Sequence, residues 1–448
     1  MQTNTAPSSV LETLRDALET GSLRRVKRLL SALQPAEIAD LLESLPLAQR
    51  KVVWEMVAPE DDGDVLVELN EDVRNGLISD MDSGELVAAA ANLDLDDLAD
   101  LLAELPEAVT REVLRSLDSS DRLRLQAVLK YDVDSAGGLM DPDTVTVRGD
   151  VTVEVVLRYL RMRRELPAGT DALFVVGRNG DYRGCLLITR LITSDQEETV
   201  DAIMDTEIPS IDASTDAAQV ATLFENYDLL SAAVVDDGKL VGRITVDDVV
   251  DVIREEASHS VLSMAGLDED DDMFAPVAVS ARRRSVWLGA NLATAFLAAW
   301  VAGLFEATLE QVVMLAILMP VVPSMGGIAG SQTLILITRG MALGQVERSN
   351  ARWLLTKELG VALYNAVGWS IVVALVTMAW LGSWEIGVVI AVALAANLLC
   401  AAVVGFFVPL LLKRLHIDPA LAGGVVLTTI TDVVGLVAFL GFGTLMLL

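Results

Sequence analysis

The sequence is poor in cysteine and in histidine. Its two cysteines, Cys185 and Cys400, fall in a predicted soluble strand and a predicted apolar helix. Neither a disulfide framework nor a cysteine metal site is therefore expected. His259 and His416 are the only histidines, and the apolar part has no phosphate loop and no nucleophile paired with a base. No enzyme is expected. Basic residues are scarce as well: 33 Lys and Arg stand against 64 Asp and Glu, a net charge of −31. Such a surface repels nucleic acid and anionic headgroups and attracts cations, unless it is only a solvated face. A charged-then-apolar leader is also missing, so the long N-terminal part is expected to stay in the cytoplasm.

What is present is divided unevenly over 448 residues that are 52% hydrophobic. About seven acids and six bases follow Ser285, so nearly all the excess negative charge precedes that point. Beyond it, apolar stretches at about 286–305, 311–338, 358–382, 386–412 and 420–448 predict five membrane spans, each near the ~20 residues a bilayer needs. Arg282 to Arg284, Arg339 to Lys357 and Lys413-Arg414 mark alternate ends as cytoplasmic, which puts the N-terminus inside and the C-terminus outside. Pro320, Pro323, Gly326, Gly327 and Gly330 interrupt the second span. Backbone groups freed there are tolerated only against protein or a wet cavity.

The last stretch carries one charge, Asp432, in the run Leu427-Thr428-Thr429-Ile430-Thr431-Asp432. It lies roughly 18 Å from the helix start, close to mid-membrane, where an ionised carboxylate costs about 2.5–3.5 kcal/mol. Either a neighbouring helix satisfies it, or it stays protonated, or it serves an ion path. No second acid is expected deep in the membrane. One carboxylate cannot balance a divalent ion, but two facing across a two-fold axis can, which points to a homodimer. A hydrated Mg²⁺, which dehydrates reluctantly, suits such a sparse set of oxygens; Co²⁺ and Mn²⁺ suit it too.

The soluble part begins with a helical repeat over about Val10 to Tyr131. Ala39-Asp-Leu-Leu-Glu-Ser-Leu-Pro46 returns 60 positions later as Ala99-Asp-Leu-Leu-Ala-Glu-Leu-Pro106. With weaker copies between, the period is about 30, as in helical arrays. From Ser135 a β-α-β-β-α unit appears twice, with turns at Asn179-Gly180 and Asp237-Gly238. The two copies resemble a pair of CBS domains, modules that often bind adenine nucleotides. The ribose signature Gly-x-x-Thr-x-x-Asp is met at Gly242, Thr245 and Asp248 in the second copy; Arg190 stands in the acid's place in the first. The resemblance thus implies ATP or another adenine nucleotide at Thr245 and Asp248 in one copy at most. A helical connector follows, with Asp251, Glu255, Glu256 and the run Asp268 to Asp272.

The predicted architecture is multidomain: an all-α helical-repeat N-domain (1–133), an α/β tandem CBS pair (134–200 and 201–258), a connector or plug helix (259–284) and a five-helix transmembrane domain (285–448). This order resembles the MgtE-type magnesium channel family. The matching motifs are Asp132-Val-Asp-Ser-Ala-Gly-Gly-Leu-Met140, Asn291-Leu-Ala-Thr-Ala295, Gly326-Gly327-x-x-Gly330-x-Gln332, Asp418-Pro-Ala420 and Thr428-Thr429-x-x-Asp432-x-x-Gly435. The chain departs from the family pattern at Ile328, at Gly424-Val425 and at His259. The resemblance implies a hydrated Mg²⁺ held by Asp432 and the Thr428 carbonyl on a dimer axis in the cell membrane. It also implies that Mg²⁺ among Asp96, Asp100, Asp248, Asp251 and Glu256 keeps the pore shut. Alternatives are a membrane-bound magnesium or nucleotide sensor that does not conduct, a carrier of other divalent ions, and a proton-coupled carrier using Asp432 as relay.

Overall fold

The computed structural model describes residues 7–91, 93–164, 166–267, 271–347 and 349–448. Of the acidic run at 268–272, the first three residues lie outside the described residues, as does Arg348 in the basic loop. The chain divides into two compact units, Met1–Ser258 with Asp270–Pro276, and His259–Glu269 with Val277–Leu448.

The first unit opens with ten short helices, from Pro7–Glu19 to Ser119–Val128. The repeat seen in sequence is a repeat of burial. In Pro35–Glu43, Ala39, Leu41 and Leu42 are inside while Asp40 is exposed; in Leu95–Glu104, Ala99, Leu101 and Leu102 are inside while Asp100 is exposed. One apolar stripe at helical spacing fixes both. Starts are set by local chemistry. Asp82 accepts from the N–H of Gly84 and Glu85, and Glu85 returns the bond to the Asp82 N–H, a reciprocal cap.

Two three-stranded sheets follow. In each the first strand runs parallel to the second and the second antiparallel to the third: β1 Thr146–Arg148, β2 Ala172–Val176, β3 Tyr182–Leu187, then β4 Ile211–Asp212, β5 Ser231–Asp236, β6 Lys239–Thr245. The β5–β6 hairpin turns on Asp237 and Gly238, both with positive φ (49° and 75°), the pairing that a two-residue hairpin favours. The copies are joined by bridges such as Cys185 to Asp205 and Asp141 to Arg243. Asp141 accepts from Arg243 Nε and Nη2 at 3.2 and 3.1 Å, nearly out of solvent. The helix after β6 runs Val246–Ser263 without interruption. The connector expected as one helix over 259–284 is instead divided: residues 259–263 end this helix and residues 277–284 begin the next, Val277–Gly303.

The second unit contains five helices long and apolar enough to cross a membrane: Val277–Gly303, Val313–Ala342, Ala351–Leu381, Trp384–Arg414 and Pro419–Leu447. The second span is broken at Met319 and Pro320, between the helices Val313–Leu318 and Val321–Ala342. Pro323 falls in the first turn of the new helix, where its missing N–H costs nothing. Gly326 and Gly330 do not break the helix; they let it pack. A methyl group at Gly330 would meet Leu427 at 2.7 Å, and one at Gly326 would meet the Asn397 amide at 2.1 Å. Small residues bring backbones close where apolar burial gives no drive between helices.

Candidate functional site

In the membrane unit, Asp432 lies half-buried on the fifth span, with Thr431 fully buried beside it. The hydroxyls expected to make this face polar turn back to their own helix: Thr428 Oγ1 donates to Gly424 O at 3.0 Å and Thr429 Oγ1 to Val425 O at 2.6 Å. Thr431 Oγ1 donates to the Thr428 carbonyl at 3.1 Å, the group expected to act as a ligand one turn before Asp432. Among the described residues no side chain hydrogen-bonds the Asp432 carboxylate. Ile328 is 59% exposed on the second span, so the apolar side chain leaves no partner wanting inside the chain.

Two polar groups in this unit were not anticipated. Asn397 on the fourth span has no exposed surface; its Nδ2 donates to Val322 O at 2.9 Å, just past the break, while its Oδ1 has no partner. Glu358 is a second acid packed inside this unit, on the third span. The third helix starts at Ala351, not near 358, which carries Glu358 two turns into the packing at 5% exposure. Apolar-run reading had placed it at the rim.

Asp418 caps the fifth span, accepting from Ala420 N at 2.9 Å and Leu421 N at 3.2 Å. His259 Nε2 lies 3.2 Å from Asp418 Oδ2. The histidine that departs from the family pattern is thus an ion-pair or hydrogen-bond partner of that cap.

In the soluble unit the structure brings Asp96 and Asp248 together and adds Asp97 and Asp141. Burial, then Asp97, Asp141 and Asp248, push the Asp96 carboxyl up to about 8. Among the described residues its Oδ1 is buried without a hydrogen-bond partner. Asp97 is raised to about 7 by burial and by Asp100, Asp94, Asp248 and Asp64. Asp248 is raised to about 6 by burial, against the pull of Thr245, whose N–H and Oγ1 both donate to Asp248 Oδ2 at 3.0 and 2.9 Å. Asp100 is exposed at the edge of this group. Asp251, further along the helix, sits near Arg254 and Glu68 instead, and Glu256 is exposed about two turns past Asp248. Asp97 was the residue missed; it directly follows Asp96, off the face that Asp96 and Asp100 share at four-residue spacing. Among the described residues no three His, Cys, Asp or Glu side chains converge on one point to grip a bare ion. An orphaned carboxylate oxygen among like charges nonetheless fits a cation that keeps part of its water shell.

The second CBS copy is tightly built at its signature. A methyl group on Gly242 would meet Met140 Sδ at 2.6 Å, so this glycine serves contact with the Gly-Gly-Leu-Met140 segment.

These features can be set beside known proteins. A divalent cation transporter model, MgtE, matches residues 319–442, the MgtE intracellular N domain model residues 33–134, and the CBS domain model residues 200–255. A magnesium transporter MgtE of Thermus thermophilus is 32% identical over 442 residues, 97% of this chain and 98% of its own. Its counterpart from Bacillus subtilis is 30% identical over 428 residues, 95% of each chain. The chain belongs to the MgtE family. A solved cytosolic domain of the Mg²⁺ channel MgtE in complex with ATP is 32% identical, covering 54% of this chain and 99% of its own with a TM-score of 0.49. As a member of MgtE, the chain is a multi-pass divalent cation transporter with an intracellular N domain, not an enzyme.

Proposed function

We propose that this protein transports magnesium into the cell as a homodimeric channel, with the ion path running past Asp432. The observation that carries the reading is an intramembrane carboxylate with no side-chain hydrogen-bond partner among the described residues, on a helix packed against a span broken at Pro320. An unpaired acid in that setting is costly and marks an ion path. Mg²⁺ holds its water strongly, so two symmetry-related Asp432 carboxylates and the Thr428 carbonyls would contact the ion through its hydration shell. With five spans and an intracellular N domain, the C-terminus would lie outside.

Cytoplasmic Mg²⁺ closes the channel from the soluble unit. Asp96, Asp97 and Asp248 are held together at the expense of their own ionisation, a cost a divalent cation removes. A cation that binds this arrangement better than the separated one shifts the population toward it. Asp100, Asp251 and Glu256 add negative potential from the flanks. An adenine nucleotide at Thr245 and Asp248 would compete with that metal for one carboxylate, so nucleotide binding is expected to weaken as Mg²⁺ loads the cluster.

Uptake by vesicles containing the purified protein tests the central reading. Asp432→Asn keeps the shape and removes the charge, and divalent uptake is expected to drop about tenfold or more. Uptake unchanged in the folded variant would make the acid structural. Flux that follows a pH gradient rather than voltage and concentration would favour the proton-coupled carrier.

A further inference from the structure

A second polar site lies in the membrane unit, on spans that the Asp432 reading does not use. The second, third and fourth spans border a partly open cavity of about 210 Å³. Gln332 and Thr333 line one wall, Lys357, Glu358 and Asn365 another, and Ala402 leaves room between them. Glu358 is 5% exposed and Thr333 6%. Thr333 Oγ1 donates to Glu358 Oε2 at 3.4 Å, and Lys357 Nζ donates to Oε1 at 2.6 Å.

Three observations separate this from a pair that merely holds helices together. Burying a charge is costly and is repaid only when good geometry and further hydrogen bonds satisfy the remaining lone pairs; here the second carboxylate oxygen has only the long 3.4 Å bond from Thr333, and the carboxylate borders open volume. The polar groups at the cavity are a carboxylate, a hydroxyl and two side-chain carboxamides, all able to offer oxygen. That is the donor set of a hard divalent cation that keeps several waters, and the volume accommodates waters at about 30 Å³ each. Finally, the positive group is one that can leave. The Lys357 side chain is 43% exposed, on a flexible four-carbon stem, while Glu358 is fixed inside.

We infer that Glu358, with Thr333, Gln332 and Asn365, forms a second divalent-cation site in the membrane unit, which the Lys357 ammonium occupies as a tethered substitute when no ion is bound. Loading the site moves Lys357 out toward solvent; emptying it returns the ammonium to Glu358. Glu358 is compensated by the ammonium when the site is empty and by the cation when it is loaded; one carboxylate balances only half of a divalent charge, so the ion keeps most of its waters on the side that opens toward Lys357. That the site serves transport rests on the transporter reading above; that it binds a cation does not.

Mn²⁺ binding to the full-length protein, followed by equilibrium dialysis in detergent, tests the inference with Mn²⁺ itself as the probe. All variants are made in Asp432→Asn, which removes the other intramembrane acid and leaves the soluble acids constant. Glu358→Gln is expected to remove one bound Mn²⁺ per chain. Lys357→Met is expected to tighten the same class of sites about tenfold or more, by deleting the competing charge. A structural pair predicts the reverse for lysine: Lys357→Met leaves the binding curve unmoved and lowers the unfolding temperature. Mn²⁺ stoichiometry identical in Asp432→Asn and Asp432→Asn/Glu358→Gln would overturn the site. Should Glu358→Gln fail to fold, the Lys357→Met curve decides alone. A site present in these variants while Asp432→Asn alone leaves uptake untouched would sink the pore reading and keep this one.

Discussion

Arg50 and Asp272, 222 residues apart, form a two-pronged ion pair inside the soluble unit. Arg50 Nη1 donates to Asp272 Oδ2 at 2.8 Å and Nη2 to Oδ1 at 3.0 Å, with 3% and 10% of the two side chains exposed. The guanidinium also donates to the carbonyls of Leu42 and Leu45, and Asp72 accepts from the Asp272 N–H. A segment just ahead of the first span is thereby tied to the helical repeat by charge that the protein itself supplies, without any metal.

Removing one partner strands the other. Arg50→Met is expected to destabilise the soluble unit by about 3–5 kcal/mol, the usual consequence of leaving a buried charge alone. Arg50→Met/Asp272→Leu is expected to recover most of that. Thermal unfolding of the four proteins in the cycle reads this; two single losses that simply add would mean the pair is not coupled.

Magnesium is expected to protect the soluble unit from protease at millimolar concentration. Asp97→Asn or Asp248→Asn should shift protection to higher Mg²⁺, and Asp96→Asn should shift it most, because its orphaned oxygen has no alternative partner. Digestion indifferent to Mg²⁺ in the wild type would leave the gating account without support.

Asp62 supplies a pH test away from the proposed metal ligands. Burial, then Asp61, Glu85 and Glu60, raise its carboxyl from 3.8 to about 6. The folded state therefore holds this proton more tightly than the unfolded one. Below about pH 4 ionisation costs nothing; the penalty grows as pH rises through that range and is complete above about 6. Asp62→Asn should match the wild type near pH 4 and unfold at a higher temperature at pH 8. Equal unfolding temperatures at both pH values would show that the acid is fully solvated.

The contact of Gly330 with Leu427 predicts steric intolerance. Gly330→Val forces the second and fifth spans apart and is expected to cost about 1–3 kcal/mol, lowering the detergent unfolding temperature and uptake together. Gly327→Ala, where a Cβ meets nothing within 4 Å, is the control expected to leave both unchanged.

Much of this was legible in the chain because it is local. The Ala-Asp-Leu-Leu copies, the paired β-α-β-β-α units, the apolar spans and the solitary Asp432 are each written within a few turns. What stayed hidden depends on distant partners or on a few residues of helix boundary. Glu358 looked peripheral because apolar run length places a helix start only to within a turn or two. Asp97 was passed over because four-residue spacing paired Asp96 with Asp100, whereas the negative charge of Asp248 acts on both Asp96 and Asp97. The prolines and glycines of the second span read as one interruption; packing shows Pro320 breaking the helix and Gly326 and Gly330 admitting neighbours.

Asp418 has a mechanical consequence. One of its oxygens fixes the first turn of the last helix through Ala420, and the other is shared between Leu421 and His259. The cap turns with its own helix, so resistance to a swivel comes from the contact made outside it, that of His259 with Asp418. Asp432 lies about 20 Å further along that same rod, where a slip of one residue would swing its carboxylate by about 100°. The heading of the acid is therefore steered from the far end of the helix, through a contact whose other side is an imidazole.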